Sequence, residues 1–260
     1  MLHELRLFFV ALQFLTRVPV PAWVGWQPQW LNQSARHFPA VGLCVGAFSS
    51  LVLWSAAHAW PASVAVLLAM AATVWMTGAF HEDGLADTCD ALGGTVSRER
   101  ALAIMKDSRI GTYGAVALLL MLALKAATLH GLVLRDLVAT LALLPLAHAW
   151  SRCAAVVLLR VLPYAGDAEH AKAKPMAQQV DGFGLALALM WALVAGAVVA
   201  FFMSGTVLLA AAVAAALATA AMVRWLQQRL GGYTGDTLGA TQQFSELAVY
   251  LAALAAMSYG

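Results

Sequence analysis

The chain has 260 residues, of which 62% are hydrophobic and 11% charged, with a formal net charge of +2. A soluble globular chain carries about 25% charged residues, so a water-soluble domain is excluded and no nucleic-acid partner is expected. Lipid is the main solvent for a chain of this composition.

In chain order, the first apolar segment, 5–15, is too short to cross a bilayer and runs into Arg17, Val18, Pro19, Val20 and Pro21. It is expected to be an interfacial or re-entrant helix retained in the mature chain, since no small-residue cleavage site follows. A stretch of roughly 18 or more apolar residues can span the hydrocarbon core as a helix. Segments 41–60, 63–80, 184–203 and 206–223 meet that length with no Asp, Glu, Lys or Arg. Segment 115–134 crosses with Lys125 inside it, and 137–159 with Arg152 near its end. The last segment, 244–257, is short and contains Glu246, so it spans only if that carboxylate lies near an interface or faces the bundle. The predicted fold is therefore all-α: a polytopic bundle of about seven transmembrane helices plus the N-terminal helix, in one membrane domain covering 1–260. The Ala-rich run 210–221 reads as a closely packing helix face. Cys44, Cys89 and Cys153 lack metal-ligand spacing and read as reduced fillers.

Lys- and Arg-rich short loops stay cytoplasmic. Threading seven spans puts Arg98, Arg100, Lys106, Arg109, Lys172, Lys174 and Arg229 on one side, and Arg135 alone on the other. Ten carboxylates, among them Glu82, Asp83, Asp87, Asp90, Asp107, Asp181 and Asp236, fall in loops of that same side, so the loops 81–113, 160–183 and 227–243 are expected to form an active site facing the cytoplasm.

Four of the thirteen carboxylates, Glu82, Asp83, Asp87 and Asp90, fall within nine residues. On a helix Asp83, Asp87 and Asp90 share one face, and carboxylates so close repel one another unless a cation is bound. Oxygen ligands suit Mg²⁺, held by one or two carboxylates plus substrate phosphates and water. Zinc fits worse, because His81 is the only nearby nitrogen ligand. The plain alternative is a solvated acidic helix, against which stands the lack of interspersed Lys or Arg before Arg98. Ser97 is placed to cap a short helix running to about Lys106. Arg98, Arg100, Lys106 and Arg109 then serve either as a topology signal or as a phosphate clamp. A third polar loop, 230–239, has four glycines with Thr234, Gly235 and Asp236. It allows close approach to a ligand, with Asp236 completing the metal shell or acting as base. His58, His130 and His148 read as helix-packing hydrogen-bond partners, and Lys125 is the intramembrane charge to test after the aspartates.

Residues 80–90 (FHEDGLADTCD), 105–114 (MKDSRIGTYG) and 231–239 (GGYTGDTLG), with 14–21 (FLTRVPVP) and 38–42 (FPAVG), resemble the cobalamin synthase family, in order and over essentially the whole chain. The resemblance implies a Mg²⁺-dependent membrane enzyme of the inner membrane. Such an enzyme joins adenosylcobinamide-GDP to α-ribazole or its 5'-phosphate, releases GMP and completes adenosylcobalamin. It places Asp83, Asp87, Asp90 and Asp236 at the family's acidic positions, and Glu82 at a position where relatives can have an apolar residue. The expected metal set is Glu82, Asp83, Asp87 and Asp90, the expected catalytic set Asp83, Asp87, Asp90 and Asp236. Arg98, Lys106, Arg109, Thr234 and Gly235 are the expected substrate contacts. Membrane lipids and a second copy of the chain are further partners, and the loop with His170, Lys172 and Lys174 is a candidate cover for the corrinoid. The DGLAD core also faintly resembles the opening of the CDP-alcohol phosphotransferase motif, but Asp87 stands where that motif has Arg, and its later spacing is missing. A transporter is the rival of another class. It predicts acidic residues near the bilayer midplane and repeated halves, whereas no repeat is found.

Overall fold

The computed structural model describes residues 2–166, 177 and 179–259. The expected cover with His170, Lys172 and Lys174 lies outside these residues, as does most of the loop around it.

α1 (Leu2–Leu15) buries Leu7, Val10, Ala11, Leu12 and Leu15 against α2 (Pro28–Ser34) and α3 (Phe38–Ala57). It ends where the Thr16 hydroxyl donates to Leu12 O at 2.6 Å, just before the prolines. α2, a 3₁₀ turn (Ala35–His37) and α3 run on as one 30-residue apolar stretch, long enough to cross a bilayer. α4 (Ala62–Thr77) is shorter than the span 63–80 expected for it. Gly78 and Ala79, with φ +67° and +60°, stop it, and α5 (Phe80–Leu92) leaves at 87°. The left-handed turn is what diverts the acidic segment from the direction of the span. α6 (Arg98–Ile104) is the short helix expected after Ser97, whose hydroxyl accepts from the Arg100 N–H at 3.3 Å.

α7 (Thr112–Arg135) and α8 (Leu137–Val161) are joined by the single residue Asp136, whose carboxylate accepts from Ala139 N at 2.9 Å and so starts α8. α9 (Gly182–Val199) begins at an Asp181 cap, α10 (Gly205–Leu230) begins at Ser204 and ends at Gly231 with φ +68°, and α11 (Gly235–Tyr259) closes the chain. The continuous α2–α3 stretch and α7, α8, α9 and α10 are long and apolar enough to cross a membrane, and the bent α4–α5 pair makes a sixth crossing if counted as one. The protein is a multi-pass helical membrane protein.

α8 and α11 are its inner helices. α8 packs on α3, α9, α10 and α11, and α11 on α5, α7, α8 and α10. Gly42 and Gly46 let α3 lie against the α8 backbone at His148–Ala149 and Leu144–Pro145, and Ser50 continues the row by donating to Leu141 O at 2.7 Å. α11 has 25 residues, not the short segment 244–257 expected, and it tolerates Gln242, Gln243 and Glu246 because protein rather than lipid surrounds them. The Ala run on α10 packs on the bundle along one face only, through Ala211 and Ala215. Only Ala211 of that run is buried, and Ala212, Ala215, Ala216 and Ala220 line an open apolar groove of about 660 Å³ beside α8 and α9.

Candidate active site

The three polar motifs meet around α5. Its acidic face begins with Asp83, which is exposed, and continues through half-buried Asp87 to half-buried Asp90. Asp90 turns both oxygens to the start of α7, accepting from Gly111 N at 2.7 Å and Gly114 N at 2.8 Å. A carboxylate at a helix N-terminus satisfies amides that have no partner within the helix and meets the positive end of its dipole. Both glycines are required there, since a methyl at either would run into the Asp90 carboxylate.

The start of α11 lies on the same helix. A methyl on Gly84 would stand 2.7 Å from Asp236 O and 3.1 Å from Asp236 Cα, and one on Gly239 would press on His81 and Gly84. The backbone of Asp236 therefore rests on α5 within the DGLAD sequence. The segment expected to be the loop 227–243 is instead the end of α10, a joint at 231–234 and the first turns of α11. Its glycines serve helix ending and helix contact. Gly232 fits against Pro163 O, and Tyr233 N donates to Pro163 O at 3.0 Å while Ala165 N donates to Tyr233 O at 2.8 Å. Burial pushes the Tyr233 phenol above its ordinary range. Thr234 caps α11 reciprocally: Thr234 N donates to Thr237 Oγ1 at 2.8 Å, and Thr237 N donates to Thr234 Oγ1 at 3.3 Å. Gly235 borders a small cavity of about 40 Å³ with Phe14, Phe38, Phe80, Arg152 and Gln242.

The basic residues divide. Arg98 donates to Leu230 O at 2.7 Å and Ala165 O at 3.1 Å, and so ties α6 to the end of α10. Arg229, which the sequence offered only as a topology signal, does the same for the end of α5 through Leu92 O at 3.0 Å and Gly94 O at 2.7 Å. Positive groups at these carbonyl ends are favourable on electrostatic grounds. Lys106 is exposed, and Arg109 is 86% exposed in a pair with Asp107 at 2.6 Å. Arg109 holds the Asp107 carboxyl at about 2, and the same pair raises the Arg109 guanidinium.

Glu82 points away from the aspartate face, taking a hydrogen bond from Gln243 Nε2 at 3.0 Å; its Oε2 is buried without a hydrogen-bond partner. Gln243 Oε1 accepts from Lys125 Nζ at 2.8 Å, and Lys125 lies 3.1 Å from Glu246 Oε1. Gln242 donates to Glu246 Oε2 at 2.6 Å and reaches Ser151 Oγ at 3.1 Å, while Arg152 Nη1 stands 3.3 Å from His148 Nδ1. Lys125, Glu246, Arg152 and Gln243 are at most 6% exposed. Glu246 thus faces the bundle, although α11 is not among the described helices that are long and apolar enough to cross a membrane. The sequence offered Lys125, Arg152 and Glu246 as charges inside apolar segments but gave no sign that Gln242 and Gln243 would join them.

Among the described residues, no three His, Cys, Asp or Glu side chains stand close enough to enclose a metal by themselves. Mg²⁺ is usually held through one or two carboxylates and completed by substrate phosphates and water. Of the α5 carboxylates, Asp90 is bonded to amides and Glu82 is turned inward, while Asp83 and Asp87 stand on the acidic face.

The pattern of the cobalamin-5-phosphate synthase family matches residues 7–254. An adenosylcobinamide-GDP ribazoletransferase of Leptothrix cholodnii is 63% identical over 256 residues, 98% of this chain and 97% of that one. Proteins of the same name from Albidiferax ferrireducens and Shewanella amazonensis are each 44% identical, covering 95% and 97% of this chain and 96% of their own length. No solved structure matches the chain. With a match that runs from α1 into α11, and takes in each of the three motifs around α5, the chain belongs to the cobalamin-5-phosphate synthase family.

Proposed function

We propose that the protein joins adenosylcobinamide-GDP to α-ribazole or α-ribazole 5'-phosphate and releases GMP, the final assembly step of adenosylcobalamin. The observation that carries this reading is the meeting of three motifs at one end of the bundle. The acidic face of α5 abuts the start of α7 through Asp90 and the start of α11 through Gly84. The full-length similarity to adenosylcobinamide-GDP ribazoletransferases supplies the substrate class.

A ribazole hydroxyl oxygen bonds to the phosphorus nearer cobinamide, the bond from that phosphorus to the GMP oxygen breaks, and the hydroxyl proton passes to a carboxylate. Asp236 is assigned that proton, because it enters the site from a different helix than Asp83 and Asp87. Asp83 and Asp87 would hold Mg²⁺, which when bound neutralises the diphosphate and stabilises the departing phosphate. Lys106 and Arg109, exposed at the same end, pair with the phosphate oxygens of GMP. Arg98 and Thr234 act behind this surface by holding α6 and α11 in place. The positive-inside bias puts this end in the cytoplasm of an inner-membrane protein.

A transporter also predicts charges deep in the bundle, and Lys125 and Glu246 are such charges. One assay separates the two readings. Purified protein in vesicles, given adenosylcobinamide-GDP, α-ribazole 5'-phosphate and Mg²⁺, is expected to yield GMP and a cobalamin in equal amounts. Absence of GMP overturns the proposal.

A further inference from the structure

Of the contacts that join α5 to α11, two lie beside an aspartate of the candidate site. One is the backbone approach of Gly84 to Asp236. The other is the Gln243–Glu82 hydrogen bond, in which Glu82 directly precedes Asp83 and Gln243 follows Asp236 by seven residues, two helical turns along one face of α11. Two contacts along one interface fix both the separation of the helices and the rotation of α11 about its axis.

The amide of Gln243 is the link between this interface and the buried charges. Its Nε2 donates to Glu82 and its Oε1 accepts from Lys125. A side chain at that position must donate to a carboxylate and accept from an ammonium at once. Another carboxylate would face Glu82, and another cation would face Lys125, whereas the neutral amide serves both neighbours. Glu82 and Glu246 together offset Lys125 and Arg152, and turning α11 by a single residue would part these charges where there is little water to receive them. The bundle therefore admits one register of α11 on α5.

From this geometry we propose that Gln243 and Glu82 are positioning residues. They set the rotation of α11 so that Asp236 meets the Asp83–Asp87 face, and Glu82 acts through this bond instead of as a ligand of the metal. The inference rests on the transferase reading of the site.

The test exchanges donor and acceptor. Glu82→Gln combined with Gln243→Glu keeps the hydrogen bond between the two side chains, the bond from Lys125 and the total charge. In vesicle-reconstituted full-length protein, Gln243→Met and Gln243→Glu are each expected to lower kcat by about 100-fold, with KM for adenosylcobinamide-GDP within about threefold of wild type, since small misplacements act on the chemical step. The double exchange is expected to recover kcat to within about fivefold of wild type. Hydrogen exchange at the amides of α5 should quicken in Gln243→Met, stay unchanged in α8, and return to wild-type rates in the double exchange. A double exchange that fails to insert, or that is as slow as Gln243→Glu, overturns the proposal, as does a Gln243→Met protein with unchanged kcat. If wild-type protein yields no GMP, the transferase reading fails, and the exchange rates of α5 still decide whether this bond sets the helix.

Discussion

Asp90 and Asp83 share a helix face yet meet different surroundings, one bonded to two backbone amides and the other exposed. Their substitutions should differ accordingly. Asp90→Ala leaves the Gly111 and Gly114 amides without acceptors and is expected to destabilise the protein by about 1–3 kcal/mol, read as a lower melting temperature in detergent. Asp83→Asn is expected to leave insertion and melting temperature unchanged while lowering turnover by about 100-fold or more, and Asp87→Asn to lower turnover by as much; near-wild-type turnover at saturating Mg²⁺ would remove them from the metal site. The Asp107–Arg109 pair has a pH signature of its own. Its carboxyl is depressed from 3.8 to about 2, so what the pair contributes is complete above the higher value and disappears as pH falls through the lower one. The pair is therefore constant across the neutral range. Arg109→Ala should raise KM for adenosylcobinamide-GDP in a salt-sensitive way without altering the shape of the pH–rate profile near neutrality. The aspartates were legible as a set because their spacing is helical, but nothing in that spacing told which of them would bind amides, since the donors come from residues 111 and 114.

Among elements, the caps were the most readable features. Ser97 does start a helix, as its position before a helix-forming run predicts. The 87° break between α4 and α5 was not readable, because Gly78 alone is an ordinary helix stop and Ala79 must also take a left-handed conformation that alanine disfavours. Packing of α11 on α5 requires the missing side chain at Gly84. Gly84→Ala is expected to force the two helices apart at Asp236, lowering both melting temperature and turnover, at a cost of about 1–3 kcal/mol. The same substitution at Gly46, on α3 against Leu144 and Pro145, should cost about as much stability but leave kcat unchanged in the molecules that remain folded. Comparing the two variants by melting and by active-site-normalised turnover separates helix packing in general from the α5–α11 contact in particular.

At the scale of the whole molecule, the buried charges decide how the bundle closes. Lys125→Met removes the cation that stands 3.1 Å from Glu246 in the interior and is expected to destabilise by about 3–5 kcal/mol. Lys125→Met with Glu246→Met should be less destabilised than Lys125→Met alone, a coupling measurable by denaturant titration in detergent micelles. The sequence by itself determined that this is a multi-pass helical membrane protein with its polar chemistry concentrated in a few motifs. Apolar runs of spanning length and the scarcity of charge are local properties that need no knowledge of neighbours. It also marked Asp83, Asp87, Asp90 and Asp236 as candidates, because residue type and helical spacing lie within each motif. Tertiary structure alone decided that Glu82 turns inward to Gln243, that Arg98 and Arg229 hold helix ends, and that the last helix can carry Glu246 through the bundle. Each of those outcomes depends on a partner far along the chain, and a buried polar group is stable only where such a partner stands within hydrogen-bonding distance.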